Sequence, residues 1–146
     1  MIQNTVNARE SLEDVRRIAL SLPAAEQAGG RFAFSVRNKG KLKAFVWVWM
    51  ERVTPKKPRV PNFEVIAVRV AGLEEKERLL AANPAALFTE PHYDGFPAVL
   101  VRLRAASVAD LKMLITDAWR CQAPADVTRP KRPSTASRRG SIRTRS

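Results

Sequence analysis

Between Lys43 and Glu51 the sequence reads KAFVWVWME, and no other stretch constrains the fold as tightly. Strand alternation puts Phe45, Trp47 and Trp49 on one side, and Ala44, Val46, Val48 and Met50 on the other. Both sides are apolar, whereas a sheet with one wet face carries apolar residues on one side only. This strand must therefore be covered twice. A helix layer over one side and a partner over the other meets that demand, as does a concave pocket filled by the aromatics. Packing of the tryptophans beneath the loop that follows meets it equally well.

The flanking sequence supplies the rest of a layer. Residues 31–37 alternate around Phe32, Phe34 and Val36 as a strand after the Gly29-Gly30 break, and residues 38–41, with Gly40, read as a hairpin turn. Residues 52–62 hold Pro55, Pro58 and Pro61, which forbid a central strand and stiffen the segment. Residues 63–70 return as a strand, and residues 98–103 form another after a turn-rich segment at 90–97.

Helices lie at both ends and in the middle. Leu12, Val15, Ile18, Ala19 and Leu22 recur at helical spacing behind a Ser11/Asp14 capping box, with Pro23 just past the end. A second helix carries Glu74, Glu75 and Glu77 where its dipole favours anions. There Glu74 and Arg78 form an i,i+4 pair, and Leu73, Leu80 and Ala81 face inward. Ser107 and Asp110 cap a third helix, in which Val108, Leu111, Leu114, Ile115 and Ala118 share a side. The order α-β-β-β-α-β-α implies an α+β fold of two layers, with an antiparallel sheet of about four to five strands flanked by N- and C-terminal helices.

At 146 residues the chain suits one domain, expected over residues 11–124, after a flexible N-terminus at 1–10. Residues 125–146 are rich in Arg, Ser, Thr and Pro, and read as a disordered basic tail. No apolar run reaches the roughly 18 residues of a membrane span, and residues 1–10 lack a signal-peptide core. A cytoplasmic protein is expected. Cys121 is the single cysteine and His92 the single histidine, which excludes an internal disulfide and any multi-cysteine metal site. No cofactor and no metal are expected.

Charge points to a partner. Of the net +12, residues 31–59 carry nine basic side chains against Glu51 alone, and residues 122–146 carry seven against Asp126 alone. Such clusters create a local positive potential that draws in polyanions. Arg31, Arg37, Lys39, Lys41 and Lys43 line the first hairpin, while Lys56, Lys57 and Arg59 line the long loop, which has the shape of a wing. If both loops project from one end of the sheet, they make a single anion-binding surface. Loop lysines and arginines contact phosphates without reading sequence, so the expected activity is non-specific, salt-dependent DNA binding, with the tail as a flexible basic arm. No helix rich in Arg, Asn and Gln offers major-groove readout.

Three segments, EDVRRIALSLP (13–23), TEPHYDGFPAVLVRL (89–103) and ITDAWRCQAP (115–124), resemble the MmcQ/YjbR family, and ERVTPKKPRVPN (51–62) resembles a branch with a longer basic loop. The resemblance covers about residues 11–124. It implies a secretion-chaperone-like or double-wing α+β fold, and members are commonly labelled DNA-binding.

Only one cluster invites a catalytic reading. His92, Tyr93, Asp94 and Gly95 set an imidazole near a carboxylate, but no nucleophile completes a set, and Asp94-Gly95 is a turn signal. With Trp47 and Trp49, His92, Tyr93 and Asp94 make a candidate pocket. That supports the other reading, a small-molecule or protein-binding module, monomer or homodimer, built on the aromatic face. Cys121 is expected beyond the last helix as an inert thiol, and Trp119 in the core. No enzyme is expected.

Overall fold

The N-terminal apolar stripe forms helix α1 (Ala8–Ser21) because it buries against other elements. Val15, Ile18 and Ala19 are fully enclosed, and Leu12 and Leu22 pack at the margin. The structure, a computed structural model, describes residues 8–27 and 29–128. Helix α1 takes in residues 8–10 of the expected N-terminal segment, and residues 1–7 lie outside the described residues. Ser11 is not a cap. It lies inside the helix at 3% exposure, four residues before Val15 on the same stripe, where a small side chain fits against the core.

Among the described residues, six antiparallel strands follow in the spatial order β1-β2-β3-β4-β6-β5. They are β1 (Ala25–Gln27), β2 (Ala33–Asn38), β3 (Lys41–Glu51), β4 (Val60–Arg69), β5 (Leu87–Phe88) and β6 (Ala98–Arg102). The expected four to five strands become six because β1 and β5, three and two residues long, add the two edges. Strands that short carry no periodicity to read. The α+β class, the antiparallel sheet and the flanking helices hold.

Helix α2 (Leu73–Ala82) sits between β4 and β5. Its fully buried residue is Lys76, and Leu80 packs partly buried against the core as expected, while Leu73 is 51% exposed and Ala81 is exposed too, which corrects the rest of the expected inner face. Arg78 pairs with Glu75, three residues back, instead of Glu74. Helix α3 (Val108–Gln122) starts on the expected capping box, the Ser107 hydroxyl accepting from the Asp110 amide at 3.0 Å and the Asp110 carboxylate accepting from the Ser107 amide at 3.2 Å. Val108 is exposed at that first turn, whereas Leu111, Leu114, Ile115, Ala118 and Trp119 are buried. Cys121 belongs to α3 itself. A short helix α4 (Ala125–Thr128) occupies the first positions of the expected tail, and residues 129–146 lie outside the described residues.

Helices α1 and α3 cover one sheet face. There Phe34, Val36, Phe45, Val46, Ile66, Val68, Val99 and Val101 meet Val15, Ile18, Leu111 and Ile115 in one cluster. Burying each such aliphatic side chain contributes about 1.5–3 kcal/mol, so this face holds most of the stability. Polar ties fix α3: Trp119 Nε1 donates to the Pro23 carbonyl at 2.9 Å, Gln122 Nε2 donates to the Ala44 carbonyl at 3.0 Å, and the Gln122 carbonyl accepts from Asn38 Nδ2 at 3.0 Å. The second tie sets the end of α3 against the β2–β3 hairpin.

A bulge redirects the long strand. Phe34 pairs with Val46, but Ser35 pairs with Ala44, leaving Phe45 as an extra residue. Phe45 therefore joins Val46 in the helix-side core and parts from Trp47 and Trp49, against the expected alternation. Pro61 is inside β4, opposite Met50. It is tolerated because β4 has only β3 beside it there, β6 joining at Val65.

Candidate functional site

The basic side chains come to rest on the β2–β3–β4 ribbon, at two ends of one strand. The β2–β3 turn is a two-residue connection with φ of 55° at Lys39 and 80° at Gly40, the mirror-type geometry that matches strand twist. It carries Lys39 and Lys41, with Arg37 and Lys43 beside it, all exposed. The loop that holds Lys56, Lys57 and Arg59 follows β3's other end. Since β3 runs from Lys41 to Glu51, a rise of ~3.3 Å per residue separates the two groups by about 30 Å. They do not share one end of the sheet, as a single wing surface would require, because consecutive antiparallel turns alternate ends. Arg31 precedes β2 and sits nearer the long loop, level with the far half of β3.

The long loop is braced by its own arginines. Arg52 donates to the Lys57 carbonyl at 2.8 Å, and Arg59 donates to the Met50 carbonyl at 3.1 Å. Thr54, Pro55, Lys56 and Lys57 form a turn closed by the Lys57 amide on the Thr54 carbonyl at 3.1 Å. Pro55 stands second, and Lys56 stands third with φ of 70°, a type II turn whose third position favours glycine. Left-handed backbone at a non-glycine residue costs roughly 1–2 kcal/mol. Three non-glycine residues among those described adopt it, and two of them, Lys39 and Lys56, are the lysines at the two basic tips. Of the eight expected contact residues, Arg37 alone pairs with an acid among the described residues, Glu26 at 3.4 Å, with both side chains exposed.

The aromatic residues occupy the sheet face away from α1 and α3. Val65, Ala67 and Leu100 form its buried floor, on which Trp47, Trp49, Phe88 and Tyr93 pack half-buried. The cover is the chain's own segment 88–96 and not the long loop after β3. Trp47 Nε1 donates to Tyr93 Oη at 3.1 Å, Phe96 lies edge-on to both Trp47 and Tyr93, and Phe88 lies edge-on to Trp49. Of the expected pocket, Trp47, Trp49 and Tyr93 come together; His92 and Asp94 stay exposed outside it. His92 meets the Tyr93 ring, whereas Asp94 accepts from Thr89 Oγ1 at 3.4 Å, so imidazole and carboxylate form no hydrogen-bonded pair.

What pins this cover is Lys76, a residue that helical periodicity alone does not single out. Its side chain is only 4% exposed, and Nζ donates to the Tyr93 carbonyl and, at 2.9 Å, to the Phe96 carbonyl. Burial pushes its pKa below the ordinary 10.5, and the nearby Asp94 carboxylate opposes that shift. On the remaining side, between α2 and α3, a cleft opens beside Arg69 and Cys121. The sequence offered no sign of it, since its walls come from four separate elements.

No family model matches the chain. Over 113 residues it is 39% identical to the uncharacterized proteins Rv2570 of Mycobacterium tuberculosis and Mb2600 of Mycobacterium bovis, a span that covers 77% of this chain and 88% of each relative. The crystal structure of Deinococcus radiodurans protein DR2400, a DUF419 domain, is similar at a TM-score of 0.51 and 18% identity, over 74% of this chain and 75% of that one. This last likeness is one of fold. No described helix is long and apolar enough to cross a membrane.

Proposed function

We propose, for a chain that belongs to the same family as the mycobacterial protein Rv2570, a non-enzymatic role: it grips the phosphate backbone of DNA without reading its sequence. We also place it within the wider MmcQ/YjbR group, supported by the 89–103 segment and by the likeness to a DUF419 structure. The observation that carries the reading is the pair of strained lysines, Lys39 and Lys56, at opposite tips of one ribbon. A fold gains nothing in stability by holding a lysine where glycine or asparagine would relax. Strain of this kind collects where a side chain is needed in place.

Separation at two ends suits a duplex better than one cluster would. The ends of the strand that carries them stand about 30 Å apart, close to the ~34 Å of one helical turn of DNA. Phosphates one turn apart return to the same side of the duplex, so Lys39 and Lys41 meet one crossing while Lys56 and Lys57 meet the next. Contacts of this sort release counterions and give salt-dependent, sequence-blind binding.

Fluorescence anisotropy with labelled duplexes across a salt series tests this. Replacing Lys56 and Lys57 by alanine in the full chain should weaken binding severalfold and lower the salt slope by nearly two, at ~0.9 per lost phosphate contact. Replacing Lys39 and Lys41 should do the same. Duplexes clearly shorter than one turn should bind the parent chain and either double variant alike. Unchanged affinity and slope in both variants would remove the ribbon from consideration.

A further inference from the structure

The cleft between α2 and α3 measures about 560 Å³, within the roughly 300–1,000 Å³ of small-molecule sites. Val70, Leu79, Leu87 and Leu114 line it with apolar surface, and Met113 stands at its wall 54% exposed. Its charged residues are mostly spoken for. Glu75 pairs with Arg78, Asp117 pairs with Arg120, and Asp110 is held by the capping box at the start of α3. Arg69 is the exception. Its guanidinium lies 5.1 Å over the Phe96 ring, no described acid pairs with it, and its Nε is buried without a hydrogen-bond partner among the described residues. The cleft thus presents apolar walls, three carboxylates that are already engaged, and one cation that pairs with no described acid.

We propose that this cleft binds a small amphipathic carboxylic acid, its tail against Val70, Leu79 and Leu114 and its carboxylate on Arg69. A fork-shaped guanidinium that pairs with no described acid prefers a carboxylate to any neutral head, and a purely apolar occupant would desolvate it further without giving it a partner. An ammonium head would leave the guanidinium unpaired. Cys121 reports on the same space: burial, with the Asp117 and Glu75 carboxylates, raises its thiol pKa above 9.0 although Arg69 opposes them. It stays a slow-reacting thiol at neutral pH until the cleft is filled, when it should become slower still.

Three probes with one tail, decanoate, decanol and decylamine, separate head charge from apolar burial on the full chain. Decanoate should shift the Met113 methyl resonance saturably and slow alkylation of Cys121 by iodoacetamide, with decanol at least tenfold weaker and decylamine without effect at these two sites. Arg69→Met, which keeps an unbranched stem over Phe96, should erase the tenfold advantage of decanoate. Ala82→Phe, at an exposed position on the cleft wall, should weaken decanoate and decanol together and keeps the test alive if Arg69→Met folds poorly. An equal response to decylamine overturns the proposal, as does a decanoate response indifferent to both variants. So does a Met113 shift that follows protein concentration and not decanoate, which would mean that a second copy fills the cleft.

Discussion

The two faces of the sheet are closed in different ways. On one, α1 and α3 lay down complete apolar stripes, and the strand residues beneath them are fully buried aliphatics and two phenylalanines. On the other, a nine-residue stretch of irregular chain lays half-exposed aromatics over three small or medium side chains, and a buried amine holds that stretch in place. Cooperative burial secures the first face, while the second depends on a few directional contacts. The first should therefore fail only with the whole domain, and the second should be able to open alone.

The largest effect expected is on the helix side. Ile115→Ala deletes fully buried volume where α3 meets the strands, and should cost about 2–5 kcal/mol in chemical denaturation. Phe88→Leu, on the half-buried aromatic side, should cost less than about 1.5 kcal/mol. Equal losses would break the contrast between the faces.

Lys76→Met sharpens it. The replacement removes one of two donors from each of the Tyr93 and Phe96 carbonyls, which keep the Phe96 and Ala98 amides, a loss of about 1.5–3 kcal/mol per hydrogen bond to a charged group, yet it also removes a charge that burial disfavours. Global stability should shift little. The amides of Phe96 and Ala98, which close the turn on the Tyr93 and Phe96 carbonyls, should exchange with solvent at least several times faster, while amides of β3 and α3 keep their protection. A pH series adds a sign. Because the folded-state pKa of Lys76 lies below 10.5, the unfolded chain binds that proton more tightly between the two values. Stability of the parent chain should therefore rise, relative to Lys76→Met, as pH climbs from the depressed value toward 10.5. A difference that falls over that window would mean the amine is stabilised as a cation.

What the sequence disclosed follows the same division. Helix α1's stripe, the turn at 38–41 and the Ser107/Asp110 cap were legible because each is settled within a few residues. The separation of Phe45 from Trp47 and Trp49 was not, since a bulge depends on how β2 aligns with β3. Lys76 reads as a surface lysine in an acidic helix until segment 91–97 folds over it. The basic residues could be named from the sequence, but their division between two ends follows from the length of β3 as a continuous strand. Arg69 and Cys121 sit far apart in sequence, and only the packing of α3 beside the end of β4 sets them around one cleft.

The smallest effect is the one that bears most directly on function. Lys39 occupies a turn position with φ of 55°, a conformation asparagine accepts far more readily than lysine. Lys39→Asn should stabilise the domain by about 0.5–1 kcal/mol, the scale of relieving one strained turn residue. The same change removes a charge from the hairpin tip, so DNA affinity should fall and the salt slope should drop by about 0.9. A stability gain with a binding loss is what distinguishes a residue retained for its charge from one retained for its turn. If Lys39→Asn gains stability and binds DNA as the parent chain does, the strain at that tip has another cause, and the long loop with Lys56 would have to carry the interface by itself.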